Sequence, residues 1–170
     1  MCSSYTPPEP LAQHHHLENF NSGKPALDDW LTRYARQAQQ SGSAKTFIIR
    51  NGERVAGYFS LTVGQIDTLE ASERIRKGMG RYPIPVIILS RLAVHLQDQK
   101  RGLGTCLLRD AILRTLLIAG QAGVRALLTH PIDMDAARFY LRFGFEPSPL
   151  REGQLLLLLK DAKRYLASAG

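Results

Sequence analysis

The sequence predicts an α/β fold with a mixed sheet and helices packed on it. Residues 45–50 and 54–63 flank Asn51-Gly52, which is a strong hairpin signal. Residues 85–94 form an almost unbroken apolar and β-branched run, typical of a strand in the centre of a sheet. Helical periodicity and short apolar runs then alternate towards the C-terminus, as in sheets covered by helices.

The first helix is predicted over residues 25–40. Pro25 suits a first helical turn, and apolar side chains recur at helical spacing after it. Asn21 or Ser22 can cap the N-terminus, and Gly42 can end the helix.

The second half of the chain continues with helices and strands. Four elements are predicted: a short helix with a loop over 71–80, a long helix over 102–119, and strands over 124–130 and 154–160. Between the last two strands, Asp133 can cap a helix that runs to Arg142 and closes at Gly144. A short helical tail follows the last strand.

The composition is that of a globular protein, with 44% hydrophobic and 22% charged residues. A length of 170 residues suits a single domain, residues 1–170. The apolar runs are shorter than the roughly 20 residues of a membrane span, and residues 1–9 lack the features of a signal peptide. We therefore expect a cytoplasmic protein without a membrane partner.

Neither cysteine nor histidine indicates a metal site or a disulfide framework. Cys2 lies near the chain end, and Cys106 falls in a predicted helix, where a buried thiol is expected. Three consecutive histidines, His14–His16, point in different directions on a helix or a strand. A catalytic zinc site draws its ligands from spaced positions, so we expect a polar loop and no metal.

The net charge of +7 is concentrated in one stretch of the chain. Between residues 71 and 109, eight basic residues face two acidic ones. The basic residues are Arg74, Arg76, Lys77, Arg81, Arg91, Lys100, Arg101 and Arg109. Such a stretch fits either a polyanionic partner or a solvated face.

The sharpest local signal is the glycine loop, Gln99-Lys100-Arg101-Gly102-Leu103-Gly104, between a predicted strand and a predicted helix. Free N–H groups at a helix start bind anions, and glycine lets a phosphate approach the backbone. It is not a Walker loop, because no Gly-Lys-Ser/Thr follows, nor a three-glycine dinucleotide loop, because Leu107 occupies the third position. Taken alone, the turn also fits a simple connection.

Three motifs together resemble the GNAT superfamily of acetyltransferases. They are Arg91-Leu-Ala-Val94, Gln99-x-x-Gly102-x-Gly104 and Ala137-Arg-Phe-Tyr140-x-x-x-Gly144-Phe145. The loop fits that family's Arg/Gln-x-x-Gly-x-Gly/Ala signature without departure. The resemblance implies a GNAT fold, with a mixed, mostly antiparallel central sheet flanked by helices and splayed at the strand that binds acetyl-CoA.

The same resemblance implies roles for particular residues. Main-chain groups of Leu92, Ala93 and Val94 would bind the acetyl and pantetheine parts of acetyl-CoA. The pyrophosphate would lie against Gln99, Lys100, Arg101, Gly102, Leu103, Gly104 and Thr105. Tyr140 would donate a proton to the departing thiolate, whereas its aromatic neighbours alone suggest a core residue.

A narrower resemblance covers most of the chain and concerns the GNAT toxins of bacterial toxin–antitoxin pairs. It rests on Leu27-Asp-Asp-Trp-Leu31, Gly57-Tyr-Phe-Ser-Leu61, Pro83-Ile-Pro-Val86, Arg91-Leu-Ala-Val94 and Gly123-Val-Arg-Ala-Leu127. Such toxins N-acetylate the amino acid on charged tRNA and stop translation. The resemblance implies a homodimer, neutralisation by a ribbon-helix-helix antitoxin, and contact with DNA only through the antitoxin complex.

The chemistry of the residues agrees with that substrate. No Asp or Glu lies between Arg74 and Gln97, so a strong general base is not evident. At pH 7 an α-amino group, with a pKa of about 7.7, is neutral roughly 500-fold more often than a lysine with a pKa of about 10.4. A tRNA also needs phosphate contacts, which Arg74, Arg76, Lys77, Arg81 and Arg91 could supply.

Two other functions remain open from the sequence. One is a GNAT enzyme that acetylates a protein amino terminus or a small amine, although no acidic cluster for a cationic amine is evident. The other is a non-enzymatic module that binds a nucleic acid or an antitoxin through a decayed acetyl-CoA site.

Overall fold

A computed structural model describes residues 4–169, so that Cys2 lies outside the described residues. The strands are β1 (Glu9–Pro10), β2 (Lys45–Asn51), β3 (Arg54–Ile66), β4 (Ile84–Val94), β5 (Ala126–Thr129), β6 (Glu146–Pro147) and β7 (Leu155–Leu158). The helices are α1 (Pro25–Arg33), α2 (Ala35–Ser41), α3 (Glu73–Arg76), α4 (Leu103–Ala119), α5 (Met134–Arg142) and α6 (Leu159–Ala169).

The strands follow the order β1-β2-β3-β4-β5-β7-β6, which confirms the mixed, mostly antiparallel sheet flanked by helices. The pairs β1–β2, β2–β3, β5–β7 and β6–β7 are antiparallel, and β4–β5 is parallel. The predicted hairpin is confirmed, since β2 and β3 pair up to Asn51 and Arg54 and Gly52 has a φ of 64°. A positive φ is what the turn of a tight hairpin requires.

The chain forms two compact units. Unit 1 comprises Met1–Thr62 with Ser90–Ala111, and unit 2 comprises Val63–Leu89 with Ile112–Gly170. The single domain expected over residues 1–170 stays a prediction.

The core of unit 1 joins helix α1 to strands β2, β3 and β4. Its fully buried members include Leu31 of α1, Ile48 of β2 and Tyr58 of β3. The Tyr58 hydroxyl donates to the Leu27 carbonyl oxygen at 2.7 Å, so this buried phenol is satisfied. A buried ring with a satisfied hydroxyl fixes α1 against β3.

The prediction of one helix over residues 25–40 was wrong, because the helix is interrupted at Tyr34. Its φ and ψ of −120° and −23° leave the helical region, although its amide still donates to the Trp30 carbonyl oxygen at 2.9 Å. Neither predicted cap was right either, since Lys24 is the N-cap and Ser22 instead donates to the Asp28 carboxylate at 2.6 Å. Gly42 does end α2, with a φ of 79°.

The core of unit 2 is built from β4, β5 and β7. All residues of β5 and β7 are buried, as expected for central strands without polar alternation. The last strand ends at Leu158, earlier than the predicted residue 160, because Leu159 already begins the amphipathic helix α6 and is itself buried. The two-residue strands β1 and β6, each ending in proline, give no periodic signal and were not predicted.

Candidate active site

The glycine loop in unit 1 connects β4 to the N-terminus of α4. Lys100 and Gly102 have φ values of 63° and 83°, and Lys100 is the non-glycine residue with positive φ within the described residues. Helix α4 begins at Leu103, and the Gly102 carbonyl oxygen accepts from the Cys106 amide at 3.1 Å. The first amides of a helix have no intrahelical acceptor, and left-handed residues beside them form backbone concavities that bind anions.

The Gln99 side chain fixes the conformation of this loop. Its Nε2 donates to the Ser22 carbonyl oxygen and to the Val94 carbonyl oxygen, at 3.0 Å each. Both amide protons are therefore used within unit 1. The side chain of Gln99 therefore positions the loop. A contact of Gln99 with the pyrophosphate, as expected from the sequence, would come from its backbone.

A buried ion pair, which the sequence did not reveal, lies immediately before the loop. The Asp98 carboxylate is 1% exposed and accepts from Arg54 Nη1 at 2.5 Å, from Arg54 Nη2 at 3.0 Å and from the Tyr5 hydroxyl at 2.9 Å. Burial alone would raise the pKa of Asp98, but the hydrogen bonds from Arg54 and Tyr5 hold it below its ordinary value. Asp98 is thus ionised and paired with Arg54 and Tyr5 at the residue before the loop.

The end of β4 lies close to β3, where Gly57 leaves room for it. A Cβ atom at Gly57 would lie 3.1 Å from the Ala93 carbonyl oxygen and 3.0 Å from Leu107 Cδ1. Ala93 is buried, while Leu92 and Val94 are half-buried. These three residues are the ones expected to bind the acetyl and pantetheine parts of acetyl-CoA.

Tyr140 lies on α5 in unit 2, and the predicted start of this helix is confirmed. Asp133 is the N-cap and accepts from the Ala136 amide at 2.8 Å. The Tyr140 ring is 5% exposed and packs edge-on against Phe139 and Phe145. It is therefore both a core aromatic and a buried phenol.

The environment keeps the Tyr140 phenol protonated. Burial raises its pKa to about 12, and a hydrogen bond with Thr129 opposes only part of that shift. The Thr129 hydroxyl in turn donates to the Leu89 carbonyl oxygen at 2.9 Å. A phenol that holds its proton at neutral pH can act as a general acid.

The basic residues predicted to contact RNA do not form one uniform patch. Arg74 pairs with Asp161 at 2.8 Å and with Glu146 at 3.7 Å, so carboxylates distant in sequence offset its charge. By contrast, Arg76, Lys77 and Arg81 are exposed on unit 2. Arg91 belongs to unit 1, where its Cζ lies 4.2 Å from the centroid of the Trp30 ring.

Arg125, whose role the sequence did not reveal, fixes the short helix that carries these charges. Its guanidinium donates to the carbonyl oxygens of Ile75 at 2.7 Å, Arg74 at 3.1 Å and Lys77 at 3.3 Å. Helix α3 has only four residues, so its C-terminal carbonyls depend on such external donors. Basic side chains near a helix C-terminus also interact favourably with the helix dipole.

We expect Arg125→Met to lower the free energy of unfolding by about 2 kcal/mol, because it leaves carbonyl groups of α3 without their charged donor. Urea denaturation of the purified variant measures this change. Arg138→Met is the matched control, since Arg138 is exposed and pairs with the exposed Asp135 at 3.1 Å. Equal stability of the two variants would contradict the role assigned to Arg125.

Other sequence predictions have mixed outcomes. The polar loop predicted at His14–His16 has one buried member, since His15 is 5% exposed, with Nε2 at 2.8 Å from Glu9 Oε1 and Nδ1 accepting from the Ala12 amide. Cys106 is half-buried and not fully buried. Within residues 4–169 there is no cluster of His, Cys, Asp and Glu that could hold a metal, and no helix suited to crossing a membrane.

Comparisons with solved structures identify the fold. A Tyr-to-Phe mutant of KacT superposes with a TM-score of 0.89 at 20% identity, covering 95% of this chain and 98% of that one. AtaT complexed with acetyl-methionyl-tRNAfMet gives a TM-score of 0.87 at 22% identity, covering 95% and 99%. AtaTR bound with AcCoA gives 0.84 at 23% identity, covering 96% and 99%.

Comparisons of sequence identify the family. The model of the acetyltransferase (GNAT) domain matches residues 42–147, a range that contains β3, β4, the glycine loop and Tyr140. A tRNA-acetylating toxin of Mycobacterium tuberculosis (strain ATCC 25618 / H37Rv) is 40% identical over 161 residues, covering 95% of this chain and 96% of the toxin. With a helix N-terminus shaped for an anion and a buried protonated tyrosine at the motif positions, this chain belongs to the GNAT acetyltransferase family.

Proposed function

We propose that this chain is the toxin of a toxin–antitoxin pair and transfers an acetyl group from acetyl-CoA to the α-amino group of aminoacyl-tRNA. The observation that carries the proposal is the 40% identity, over 95% of the chain, to a tRNA-acetylating toxin. N-acetylation removes the nucleophilic amine that forms the next peptide bond, so the product cannot serve in elongation.

The backbone of the glycine loop would hold the pyrophosphate of acetyl-CoA. The left-handed conformations of Lys100 and Gly102, together with the start of α4, support this assignment. The side chains of Lys100 and Arg101 add positive charge, and Leu103, Gly104 and Thr105 contribute the first amides of the helix. Leu92, Ala93 and Val94 would bind the acetyl end through their main-chain groups.

The reaction needs an amine without its proton and a donor for the departing sulfur. An α-amino group with a pKa near about 7.7 loses its proton to water at neutral pH, so the enzyme needs no strong base. The amine nitrogen attacks the thioester carbonyl, a C–N bond forms and the C–S bond breaks. The nitrogen releases one proton to water, and water returns a proton to Tyr140 after each turnover. Tyr140 would transfer its proton to the thiolate, since burial keeps its phenol protonated.

The partners follow from the same proposal. Solved complexes of similar fold contain an antitoxin or DNA, as in the AtaT-AtaR complex bound to DNA and the KacTA-DNA complex. We accordingly propose that the chain forms a homodimer, that a ribbon-helix-helix antitoxin neutralises it, and that DNA contacts occur through that antitoxin. The site of action would be the cytoplasm, where charged tRNA occurs.

Charge reversal at Arg76 and Lys77 should weaken acetylation of tRNA while leaving acetyl-CoA affinity nearly unchanged. Both side chains are exposed on α3 and its end, where they could contact phosphates. We expect KM for charged tRNA to rise. The negative slope of the logarithm of the tRNA association constant against the logarithm of salt concentration should become shallower by up to about two, one for each lost phosphate contact.

The matched control for this change of net charge is Arg138→Glu with Arg142→Glu, two exposed residues of α5. Salt titrations of tRNA binding and calorimetry with acetyl-CoA measure the two affinities separately. Equal loss of both affinities in the Arg76 and Lys77 variant would show that these residues serve folding or the cofactor and not tRNA.

The function itself is tested with labelled acetyl-CoA and a pool of charged tRNAs. After digestion, labelled N-acetyl-aminoacyl adenosine would support the proposal and identify the amino acid. Bound acetyl-CoA without any label on tRNA would contradict it, and the search would turn to protein amino termini and small amines.

A further inference from the structure

A pocket of about 550 Å³ lies in unit 1, beside the junction of α1 and α2. Its lining combines two aromatic rings, one guanidinium and several hydroxyl and amide groups, including Trp30, Tyr34, Gln37, Thr62, Ser90 and Arg91. The volume falls in the range of small-ligand sites, about 300–1,000 Å³. A lining of this kind suits a ligand that is planar, polar and charged.

Arg91 lies over the Trp30 ring in this pocket and pairs with no carboxylate of the described residues. The side chain is half-buried, and burial lowers the pKa of the guanidinium with no opposing carboxylate among residues 4–169. The cation–π contact with Trp30 engages one face of the guanidinium, and its N–H groups are suited to an anion supplied by a ligand. Among anions, phosphate matches the planar fork of a guanidinium.

The aromatic side chains offer two different surfaces. The Trp30 ring is stacked on Tyr58, with an interplanar angle of 9° and a centroid distance of 6.2 Å, and also contacts Arg91. These contacts hold the Trp30 ring in place as part of the pocket lining. Tyr34 is 55% exposed at the helix interruption, so a ligand base can stack on its ring.

Two parts of a charged tRNA could enter this pocket: the amino-acid side chain and the terminal nucleotide. The lining residues favour one of them. An apolar amino-acid side chain would supply no anion for the Arg91 guanidinium. A nucleotide would supply a phosphate for Arg91, a base for Tyr34, and ribose hydroxyls for polar groups such as Gln37 and Ser90. The nucleotide therefore fits the chemistry of the pocket better.

We propose that this pocket receives the 3′-terminal adenosine of charged tRNA, with the adjoining phosphate paired to Arg91 and the base stacked on Tyr34. This assignment rests on the proposed function. Because every tRNA ends in the same CCA sequence, the pocket would recognise the common end of the substrate and not the amino acid. Acetyl-CoA also contains a phosphorylated adenosine, so a test must separate these two sources.

The first test measures binding of the trinucleotide CCA by calorimetry, without any turnover. Arg91→Gln and Tyr34→Ala should each weaken binding about tenfold, the effect of losing one stacked base or one phosphate contact. Arg138→Gln, on the exposed face of α5, should leave the affinity unchanged. Unchanged affinity in both pocket variants, each with a normal unfolding midpoint, would overturn the proposal.

The second test uses steady-state kinetics with charged tRNA and acetyl-CoA varied in turn. We expect Tyr34→Ala and Arg91→Gln to raise KM for charged tRNA about tenfold and to leave KM for acetyl-CoA unchanged. A rise in KM for acetyl-CoA alone would place the adenosine of that substrate in the pocket and overturn the proposal. Failure of the proposed function is distinct, since the unmodified protein would then label no charged tRNA.

Discussion

Tyr140→Phe should lower kcat by about 10²- to 10³-fold, within the range of general acid catalysis, with little change in acetyl-CoA affinity. The substitution removes only the hydroxyl and keeps the buried ring between Phe139 and Phe145. Single-turnover acetylation of charged tRNA measures the effect on chemistry, and calorimetry measures cofactor binding. An affinity that stays constant while turnover falls assigns the loss to proton transfer.

The pH dependence gives a second readout of the same residue. Because the pKa of Tyr140 is about 12, the phenol keeps its proton throughout the usual assay range. We therefore expect kcat to rise as the substrate amine deprotonates, below about pH 7.7 because its ester withdraws electrons, and then to stay level up to about pH 10. A fall in kcat between pH 8 and about 10 would indicate an acid with a lower pKa.

Tyr82→Phe is the matched control, since Tyr82 is 81% exposed and the change removes the same hydroxyl. Its turnover should equal that of the unmodified protein. If Tyr140→Phe likewise kept full activity, Tyr140 would be a structural aromatic, and another group would protonate the thiolate.

Arg54→Ala should lower the free energy of unfolding by about 3–5 kcal/mol, because it leaves the Asp98 carboxylate buried without its cation. Asp98 is 1% exposed but the Arg54 side chain is 35% exposed, so water admitted by the truncation places the expected loss at the lower end of this range. Chemical denaturation of Arg54→Ala and Asp98→Asn, and of the double variant, gives the coupling energy of the pair. The double variant should regain part of the stability lost in Arg54→Ala, because the uncompensated charge is then absent.

The sign of the pH effect distinguishes this pair from general loss of packing. In the unmodified protein the pKa of Asp98 is lowered by folding. The ionised carboxylate therefore stabilises the folded state above the pKa of an unfolded Asp, about 3.9, and this contribution is lost as pH falls through the pKa of Asp98 in the folded state. Without Arg54, burial would dominate and raise that pKa. The stability difference between Arg54→Ala and the unmodified protein should therefore narrow on acidification.

Asp135→Asn is the control for removal of a carboxylate from an ion pair. Asp135 is 86% exposed in its pair with Arg138, and such surface pairs contribute at most about 1 kcal/mol. A loss of stability in Asp98→Asn no larger than in this control would show that the pair of Asp98 with Arg54 does not stabilise the fold.

Those parts of the molecule that depend on local sequence could be predicted. The hairpin at Asn51-Gly52, the N-cap at Asp133 and the left-handed Gly42 and Gly144 each follow from the chemistry of one or two residues. The glycine loop was recognisable for the same reason, because an anion site at a helix start needs only adjacent residues.

Features that depend on pairing across the chain could not be predicted. Asp98 appeared in the sequence only as a negative charge among basic residues, and its partner Arg54 is 44 residues away. The exposed charge of Arg74 likewise meets Asp161, 87 residues away, so counting charges along one stretch overestimated the free positive charge there. The interruption at Tyr34 has no proline or glycine signal, and helical periodicity continued through it.

The Gln99 side chain accounts for the choice of residue at the first position of the glycine-loop signature. It faces two carbonyl oxygens, and a side chain there must supply N–H groups to both. Glutamine and arginine meet this requirement, whereas glutamate, nearly identical to glutamine in shape, would place an acceptor against two acceptors. The residue at the first position of this loop is thus constrained by the internal architecture of the protein, whatever ligand the loop holds.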